Sequence, residues 1–397
     1  RLEEAVAERV SEAGGTAAHF SGGFDSTGLA LLAELALGDR GRQLEALTLA
    51  YPNSPVLAGE RHYVEAALRG RTGLRHRWVD IGEYLELDGH ESFPALDEPS
   101  AKAVDYLPSL LLTEAAEAAG ADTLLVGHGG DQMFFRSSTG AVASLLRAGK
   151  LRRARELARA WAPGGRSAPV LQAAAQRALP ISVRNGVGAV LTTGRETDEL
   201  LRHLNVPPWI DPVFADRTGV ARRSRALGGP RLESPVFGPR DLPFAAGDWY
   251  HWNVAVPRGV TQSRPYFDPR VIRTALGLPV ELHLARGQNK AVLGAALADE
   301  LPEVIVTRRD KINVNEFRAG FARHRRWLEQ LVATAPIREG VIDRQALTEC
   351  VGDVAVGIHD RFSLWRLRMA LTYLLWLSDR ERWAAQRVPF LSRAEVR

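Results

Sequence analysis

The fold is indicated most clearly by one stretch of sequence, Thr16-Ala17-Ala18-His19-Phe20-Ser21-Gly22-Gly23-Phe24-Asp25-Ser26-Thr27. It opens with a short apolar run, which is typical of a buried strand, and the residues that follow it up to Leu37 have helical periodicity. The glycines at the corner let backbone N–H groups approach an anion closely. The helix adds partial positive charge at its N-terminus, so the segment predicts a cradle for a pyrophosphate group.

Donor groups from four residues of this corner are expected to bind phosphate: Ser21, Gly22, Gly23 and Ser26. The corner lacks the lysine of a Walker loop, which argues against ordinary transfer of a γ-phosphoryl group. Asp25 indicates a Mg²⁺ ion, because a carboxylate that faces phosphates needs a cation between them. The alternative is a plain glycine turn in which an Asp side chain caps the helix.

Strands and helices alternate over residues 1–135. A helix is predicted at 2–13, further strands at 44–51, 75–81 and 123–126, and further helices at 63–68 and 107–119. This alternation predicts an α/β fold with a doubly wound parallel sheet, in which ligands bind beyond the carboxyl ends of the strands.

A second glycine-rich segment, Gly127-His128-Gly129-Gly130-Asp131, follows the fourth strand at the same end of the predicted sheet. Asp131 can therefore reach the same cation as Asp25, because carboxylates and phosphate oxygens are the ligands that Mg²⁺ prefers. The alternative is that Asp131 only caps a helix.

Composition restricts the classes of function. A net charge of +4 does not require a nucleic-acid partner, and no apolar run is long enough to span a membrane. The single cysteine, Cys350, excludes an internal disulfide framework and predicts a cytoplasmic location. Few of the basic residues are lysines, so each lysine is a candidate for a task that needs a compact ammonium, although surface lysines are the alternative. They are Lys102, Lys150, Lys290 and Lys311.

The Ser-Gly-Gly-x-Asp-Ser corner resembles the PP-loop of the asparagine synthetase superfamily. Further segments resemble that family in the same order along the chain, whereas the insert at 136–259 lies outside the resemblance. They are Asp97-Glu98-Pro99, the second glycine-rich loop, Arg264-Pro265-Tyr266-Phe267-Asp268, Asn289-Lys290 and Arg308-Arg309-Asp310-Lys311.

This resemblance implies a fold of the PP-loop (adenine nucleotide α-hydrolase) type and an AMP-forming reaction that uses ATP and Mg²⁺. It implies that Lys311 is catalytic and stabilises charge on the α-phosphate, and that Lys290 holds the pyrophosphate. Gly129 and Gly130 are expected to contact the nucleotide, and the backbone at Leu49 is expected to face the adenine.

His128 departs from the family pattern, because asparagine synthetases carry Glu at the matching position and β-lactam synthetases carry Tyr. One hypothesis is that His128 accepts a proton from the attacking amine near neutral pH. The alternative is a structural histidine that is hydrogen-bonded within its loop.

The chain is most similar to the lasso peptide cyclases within this superfamily. The similarity rests on the Gly-His-Gly-Gly-Asp-Gln loop, on Pro207-Pro208-Trp209-Ile210-Asp211-Pro212 and on the Trp- and Arg-rich helix at 364–376. It implies adenylation of an Asp or Glu side chain in a precursor peptide, followed by attack of the peptide's N-terminal amine to close a macrolactam. The implied partners are the precursor peptide, a leader-binding protein and a leader peptidase, with no nucleic acid and no membrane.

Three parts are expected: an ATP-binding core at 1–135, an Arg- and Trp-rich insert at 136–260 and a helical part at 261–397 that completes the site. The insert, with Trp249, Tyr250 and Trp252, is expected to frame a peptide cleft. Cys350 is far from an N-terminal position, so a glutamine-hydrolysing part is not expected. The glutaminase-like domain that usually precedes the PP-loop is missing, which predicts a truncated chain.

Other functions stay open at this point. A β-lactam synthetase or an asparagine synthetase-like ligase would form the same adenylate on a small amino acid. A nucleotide-binding protein without catalysis would bind ATP and form no AMP. The segment at 207–212 is a structural turn in the simpler interpretation, and Trp365, Tyr373 and Trp376 are expected to be core residues.

Overall fold

The computed structural model describes residues 1–52, 60–90, 99–100, 106–136, 138–162, 206–219, 250–284, 287–308, 316–358 and 361–379, with a few positions between 167 and 178. The strands are β1 (Gly15–His19), β2 (Leu44–Ala50), β3 (Leu74–Asp80), β4 (Ala121–Leu125) and β5 (Thr261–Ser263).

The described α-helices, in chain order, are α1 (Leu2–Ala7), α2 (Phe24–Gly38), α3 (Arg61–Leu68), α4 (Leu107–Ala118), α5 (Gly130–Phe134), α6 (Ser138–Arg147), α7 (Leu151–Ala160), α8 (Pro212–Arg217), α9 (Pro269–Gly277), α10 (Val280–His283), α11 (Ala291–Ala296), α12 (Glu303–Val306), α13 (Glu316–Arg323), α14 (Arg325–Thr334), α15 (Arg344–Val356) and α16 (Arg361–Ser378). Short π- and 3₁₀-helical turns span His251–Ala255, Val256–Arg258 and Pro265–Phe267.

The strands form one parallel sheet in the order β3-β2-β1-β4-β5. The chain runs outwards from β1 to β3 and then returns to the other side of β1 to form β4. The strand order therefore reverses between β1 and β4, and sheets of this kind bind ligands at that point, beyond the carboxyl ends of the strands. The predicted α/β fold with a doubly wound parallel sheet is confirmed.

Both faces of the sheet are covered by helices. Alternate strand residues point to opposite faces, so Ala18 and Leu125 pack in one core with α2, while Ala17 and Leu124 pack in another with α4. Burial on both faces explains why these strands are continuous apolar runs in the sequence. The two cores fix the loops that leave β1 and β4 side by side.

A separate apolar core joins α13, α14, α15 and α16 to residues from the insert. Trp209 is buried there, and its carbonyl accepts a hydrogen bond from the N–H of Asp343 at 2.8 Å. Asp211 caps the start of α8 by accepting from the N–H of Phe214. The segment at 207–212 is thus a structural turn that the buried Trp209 anchors to this core, and Tyr373 and Trp376 pack on the same core, as expected. The side chain of Trp365 lies outside the described residues.

One sequence-based helix prediction needs correction, because the helix expected at 2–13 ends at Ala7. Within the insert, Gly149 adopts a left-handed conformation (φ 70°) that ends α6 and turns the chain into α7. Among the described residues, no helix has both the length and the apolar character needed to cross a membrane.

Candidate active site

The loop after β1 is preformed by its own hydrogen bonds. The hydroxyls of Ser21 and Ser26 lie 2.8 Å apart, and the N–H of Gly23 donates to Ser21 Oγ at 3.2 Å. Gly22 has a left-handed backbone (φ 70°), and a Cβ there would lie 2.8 Å from Cβ of Tyr63. The loop leads into the N-terminus of α2, a 15-residue helix. Its first-turn amides and the two hydroxyls form the donor set that an anion requires.

The loop after β4 lies against the first loop with almost no space between them. A Cβ on Gly127 would lie 2.8 Å from the backbone nitrogen of Ser26, and a Cβ on Gly130 would overlap the carboxyl group of Asp25. Gly129 is left-handed (φ 107°) and packs on Tyr266. These glycines allow a close approach of two backbones, so the two loops form one surface.

Lys290 brings the two carboxylates of these loops together. Its Nζ lies 2.6 and 2.5 Å from the two carboxylate oxygens of Asp25 and 2.7 Å from Oδ1 of Asp131. Burial by itself lowers the pKa of Lys290, but the charges of Asp25 and Asp131 outweigh it and raise the pKa above the ordinary value. The site therefore holds a charged ammonium between two carboxylates that are 106 positions apart in the sequence, at the reversal point of the sheet.

Asn289 fixes the backbone from which Lys290 extends. Its side chain donates to the carbonyl of Arg136 at 3.0 Å and accepts the N–H of Arg136 at 3.0 Å and that of Lys290 at 3.1 Å. Lys290 itself has a left-handed backbone (φ 58°), which is uncommon for a residue other than glycine. Arg136 follows α5, the helix that carries Asp131, so Asn289 ties the lysine to the second loop.

Tyr266 lies beneath both loops and is fully buried. Its hydroxyl donates to the backbone carbonyl of Asp25 at 3.2 Å, and its side chain packs below Gly129. Burial first, and then the charges of Asp25 and Asp131, raise the pKa of Tyr266 well above its ordinary value, so the hydroxyl keeps its proton.

Sequence reasoning assigned no role to Asn289 or Tyr266. Asn289 could have been suspected, because asparagine side chains often hydrogen-bond to nearby backbone groups. The contacts of Tyr266 cross 241 positions of sequence, so no local pattern indicates them.

Two further predicted site residues lie at the same edge of the sheet. The ring of His128 packs edge-on against Phe267, with the ring centroids 5.5 Å apart. Leu49 lies near the carboxyl end of β2, paired with Val79 of β3 and beyond the last β1–β2 pair, which is His19 with Leu47. Its place agrees with the predicted adenine contact, which stays a prediction.

The C-terminal lysine segment is described only at its start. Arg308 binds both carboxylate oxygens of Glu60 at 2.7 and 2.5 Å, and its guanidinium lies 4.1 Å from the centre of the Tyr63 ring. Arg308 is thus held next to the helix that packs on Gly22. Lys311 lies outside the described residues, as do Asp97, Glu98 and Trp249. Of the aromatic residues expected in a cleft, Tyr250 is buried and bonded to Thr113, whereas Trp252 is exposed.

A comparison with protein families shows which family with this kind of parallel sheet the chain belongs to. Residues 1–205 and 255–378 match the family described as Asparagine synthase. The chain belongs to the asparagine synthase family. As an asparagine synthase-type chain it contains an ATP-dependent, adenylating ligase domain, and its fold is of the adenine nucleotide α-hydrolase type. The match extends through residue 205, so the expectation that the whole insert at 136–259 lies outside the resemblance is wrong. Within that insert, only 206–254 falls outside the match.

Other comparisons add little to this assignment. The chain is similar to the U34-tRNA thiolase NcsA from Methanococcus maripaludis with its [4Fe-4S] cluster, at 16% sequence identity over 64% of this chain and 86% of that chain, with a TM-score of 0.26. No curated protein matches.

The donor set fits a hard divalent cation. Asp25 and Asp131 together hold one cationic group, and two carboxylates leave coordination positions for phosphate oxygens and water. In the described part of the chain, no group of three or more His, Cys, Asp or Glu side chains could hold a metal.

His19, at the end of β1, gives the fold a dependence on pH. Burial lowers its pKa from 6.5 to about 4, and its Nε2 has no hydrogen-bond partner among the described residues. The folded state thus resists protonation, so the contribution of His19 to stability is complete above about pH 6.5 and falls as the pH drops towards 4.

We expect His19→Leu to lose less stability than the wild type between pH 7 and pH 5 in urea unfolding. The same change at exposed His62 is the control, and equal losses in the wild type and His19→Leu would contradict the expectation.

Proposed function

We propose that this chain closes a macrolactam ring in a ribosomal precursor peptide. It adenylates an Asp or Glu side chain with ATP and then joins that side chain to the peptide's N-terminal amine. A carboxylate oxygen of the peptide attacks the α-phosphorus of ATP, and the bond from that phosphorus to the bridging oxygen breaks as pyrophosphate leaves. The amine then attacks the acyl carbon, loses a proton and releases AMP.

One observation carries the ATP part of this proposal: Lys290 contacts Asp25 of the first loop and Asp131 of the second loop at 2.5 to 2.7 Å. Because a single side chain reaches both loops, a triphosphate that binds one loop also faces the other. Mg²⁺, when bound by Asp25 and Asp131, would neutralise charge on the phosphates.

Other residues of this chain contact the phosphates. Ser21, Ser26 and the first-turn amides of α2 bind the pyrophosphate as it leaves, and Lys290 adds a charge-assisted contact. Lys311 is proposed to stabilise charge on the α-phosphate in both steps, as the resemblance implies. Gly129 and Gly130 let the nucleotide approach the backbone of the second loop.

The choice of a peptide substrate rests on the resemblance to lasso peptide cyclases. The Gly-His-Gly-Gly-Asp-Gln loop carries His128 three positions before Asp131, where asparagine synthetases carry Glu. As in those cyclases, the attacking amine would belong to the peptide substrate itself.

The test incubates the protein with ATP, Mg²⁺ and the precursor peptide encoded beside it. We expect AMP and a peptide product lighter by one water in equal amounts, as measured by chromatography and mass spectrometry. Two matched peptides separate the steps: an N-acetylated peptide blocks ring closure but not adenylation, and a peptide with Asn or Gln for the acidic residue blocks both.

Other results would contradict the proposal. Release of AMP only with small amino acids would favour the β-lactam or asparagine type of reaction. ATP binding without AMP under any of these conditions would favour a nucleotide-binding protein without catalysis.

His128 is proposed as the base of the second step. His128→Ala should slow amide formation by about 10²-fold while adenylation, followed by pyrophosphate exchange, stays within a few-fold of the parent. His128→Gln, which keeps polarity without basicity, is the matched variant and should behave like His128→Ala. Equal slowing of both steps would reject this role.

A further inference from the structure

Lys290 occupies the position between the carboxylates that a metal ion would need. Its ammonium contacts Asp25 and Asp131 directly, and only 8% of its surface is exposed. A divalent cation bound by the same two carboxylates would lie within a few ångströms of this ammonium, and like charges at such a distance repel strongly in a partly buried site. The two cations therefore exclude each other.

The backbone of Lys290 cannot follow a displaced side chain. The side chain of Asn289 accepts the N–H of Lys290. The carbonyl of Lys290 accepts the N–H of Gly294, in the first turn of α11, at 2.9 Å. The four-carbon stem, in contrast, can rotate and carry the ammonium to a new anionic partner. The side chain of Asp131 is 40% exposed, whereas that of Asp25 is 17% exposed, so a cation from solvent meets the Asp131 side first.

We propose that Lys290 is a placeholder cation, which keeps divalent metal out of the nucleotide-free site and moves to the phosphates when ATP arrives. The inference rests on the proposed function, because the phosphates of ATP supply the partner that draws the ammonium away. It makes Lys290 the residue that couples metal binding to nucleotide binding. Without nucleotide, the ammonium of Lys290 offsets part of the negative charge of the two carboxylates.

The test measures binding of Mn²⁺ to the full nucleotide-free chain by electron paramagnetic resonance. Lys290→Met keeps the length of the side chain without the charge, and it should bind Mn²⁺ about tenfold or more tightly than the wild type, because the repulsion is gone. Lys150→Met, at an exposed lysine in the loop before α7, is the matched control and should bind like the wild type. Adding Asp25→Asn to Lys290→Met should remove the gained site.

Equal Mn²⁺ affinity in the wild type, Lys150→Met and Lys290→Met would overturn the proposal. If Lys290→Met lacks a cooperative thermal transition, the test rests on Mn²⁺ binding by the wild type and by Asp25→Asn. We expect Asp25→Asn to leave Mn²⁺ binding by the nucleotide-free protein unchanged, because the wild type holds no Mn²⁺ at this carboxylate. If the nucleotide-free wild type has a Mn²⁺ site that Asp25→Asn abolishes, the proposal is also overturned. Failure of the proposed function is a separate outcome, since it shows as absence of AMP and leaves this binding pattern intact.

Discussion

Asp25→Ala is expected to lower AMP release by about 10²- to 10³-fold, the range found when one preorganised charge contact is removed from a catalytic site. The carboxylate of Asp25 accepts two of the contacts of Lys290 and faces the second loop at Gly130. Its removal leaves the buried ammonium with Asp131 and takes away one of the two proposed metal ligands. The measurement is AMP release with ATP and the peptide substrate, together with a thermal transition that reports on the fold.

Asp39→Ala is the matched control for this prediction. Asp39 caps the opposite end of α2 and is exposed, so the same substitution on the same helix should leave AMP release unchanged. AMP release close to the wild type in a folded Asp25→Ala protein would remove the proposed role of this carboxylate.

Gly127→Ala is expected to force the two loops apart. The new Cβ would lie 2.8 Å from the backbone nitrogen and 3.0 Å from Cα of Ser26, and backbone atoms at the start of a long helix cannot move aside easily. We expect the free energy of unfolding to fall by about 1 to 3 kcal/mol, the usual cost of overpacking. We also expect ATP affinity to fall by about tenfold or more, because the phosphate-binding surface is shared between the loops.

Gly38→Ala provides the comparison for Gly127→Ala. A Cβ on Gly38, in the last turn of α2, meets no atom within 4 Å, so this change should keep ATP affinity and raise stability slightly, by about 0.4 to 1 kcal/mol. Calorimetric binding of ATP and urea unfolding measure both effects. Equal behaviour of the two variants would contradict the close contact between the loops.

The sheet and the position of the site were predictable from sequence because the signals are local. The strands around Ala17 and Leu124 are buried on both faces, which gives continuous apolar runs, and each is followed by a glycine-rich turn. Strand–helix alternation places both turns at one edge of a parallel sheet. The convergence of Asp25 and Asp131 follows from this topology alone.

The contacts of Lys290 were not predictable, because they depend on packing between segments that are far apart in sequence. Its partner Asp25 is 265 positions away, and its left-handed backbone depends on the bonds of Asn289. The same reason explains Trp209, which local sequence places in an irregular insert and the structure places in a helical core. Resemblance indicated that Lys290 binds phosphate, but only three-dimensional packing shows the carboxylates that hold it.

The shared ATP site is tested most directly by a crystal structure of this chain with Mg²⁺ and α,β-methylene-ATP. We predict a pyrophosphate moiety bound by the loop at 21–26, a metal ion between Asp25 and Asp131, and Nζ of Lys290 moved from the carboxylates to the phosphates. A nucleotide whose phosphates lie away from both glycine-rich loops, with Lys290 still bound to Asp25 and Asp131, would contradict it.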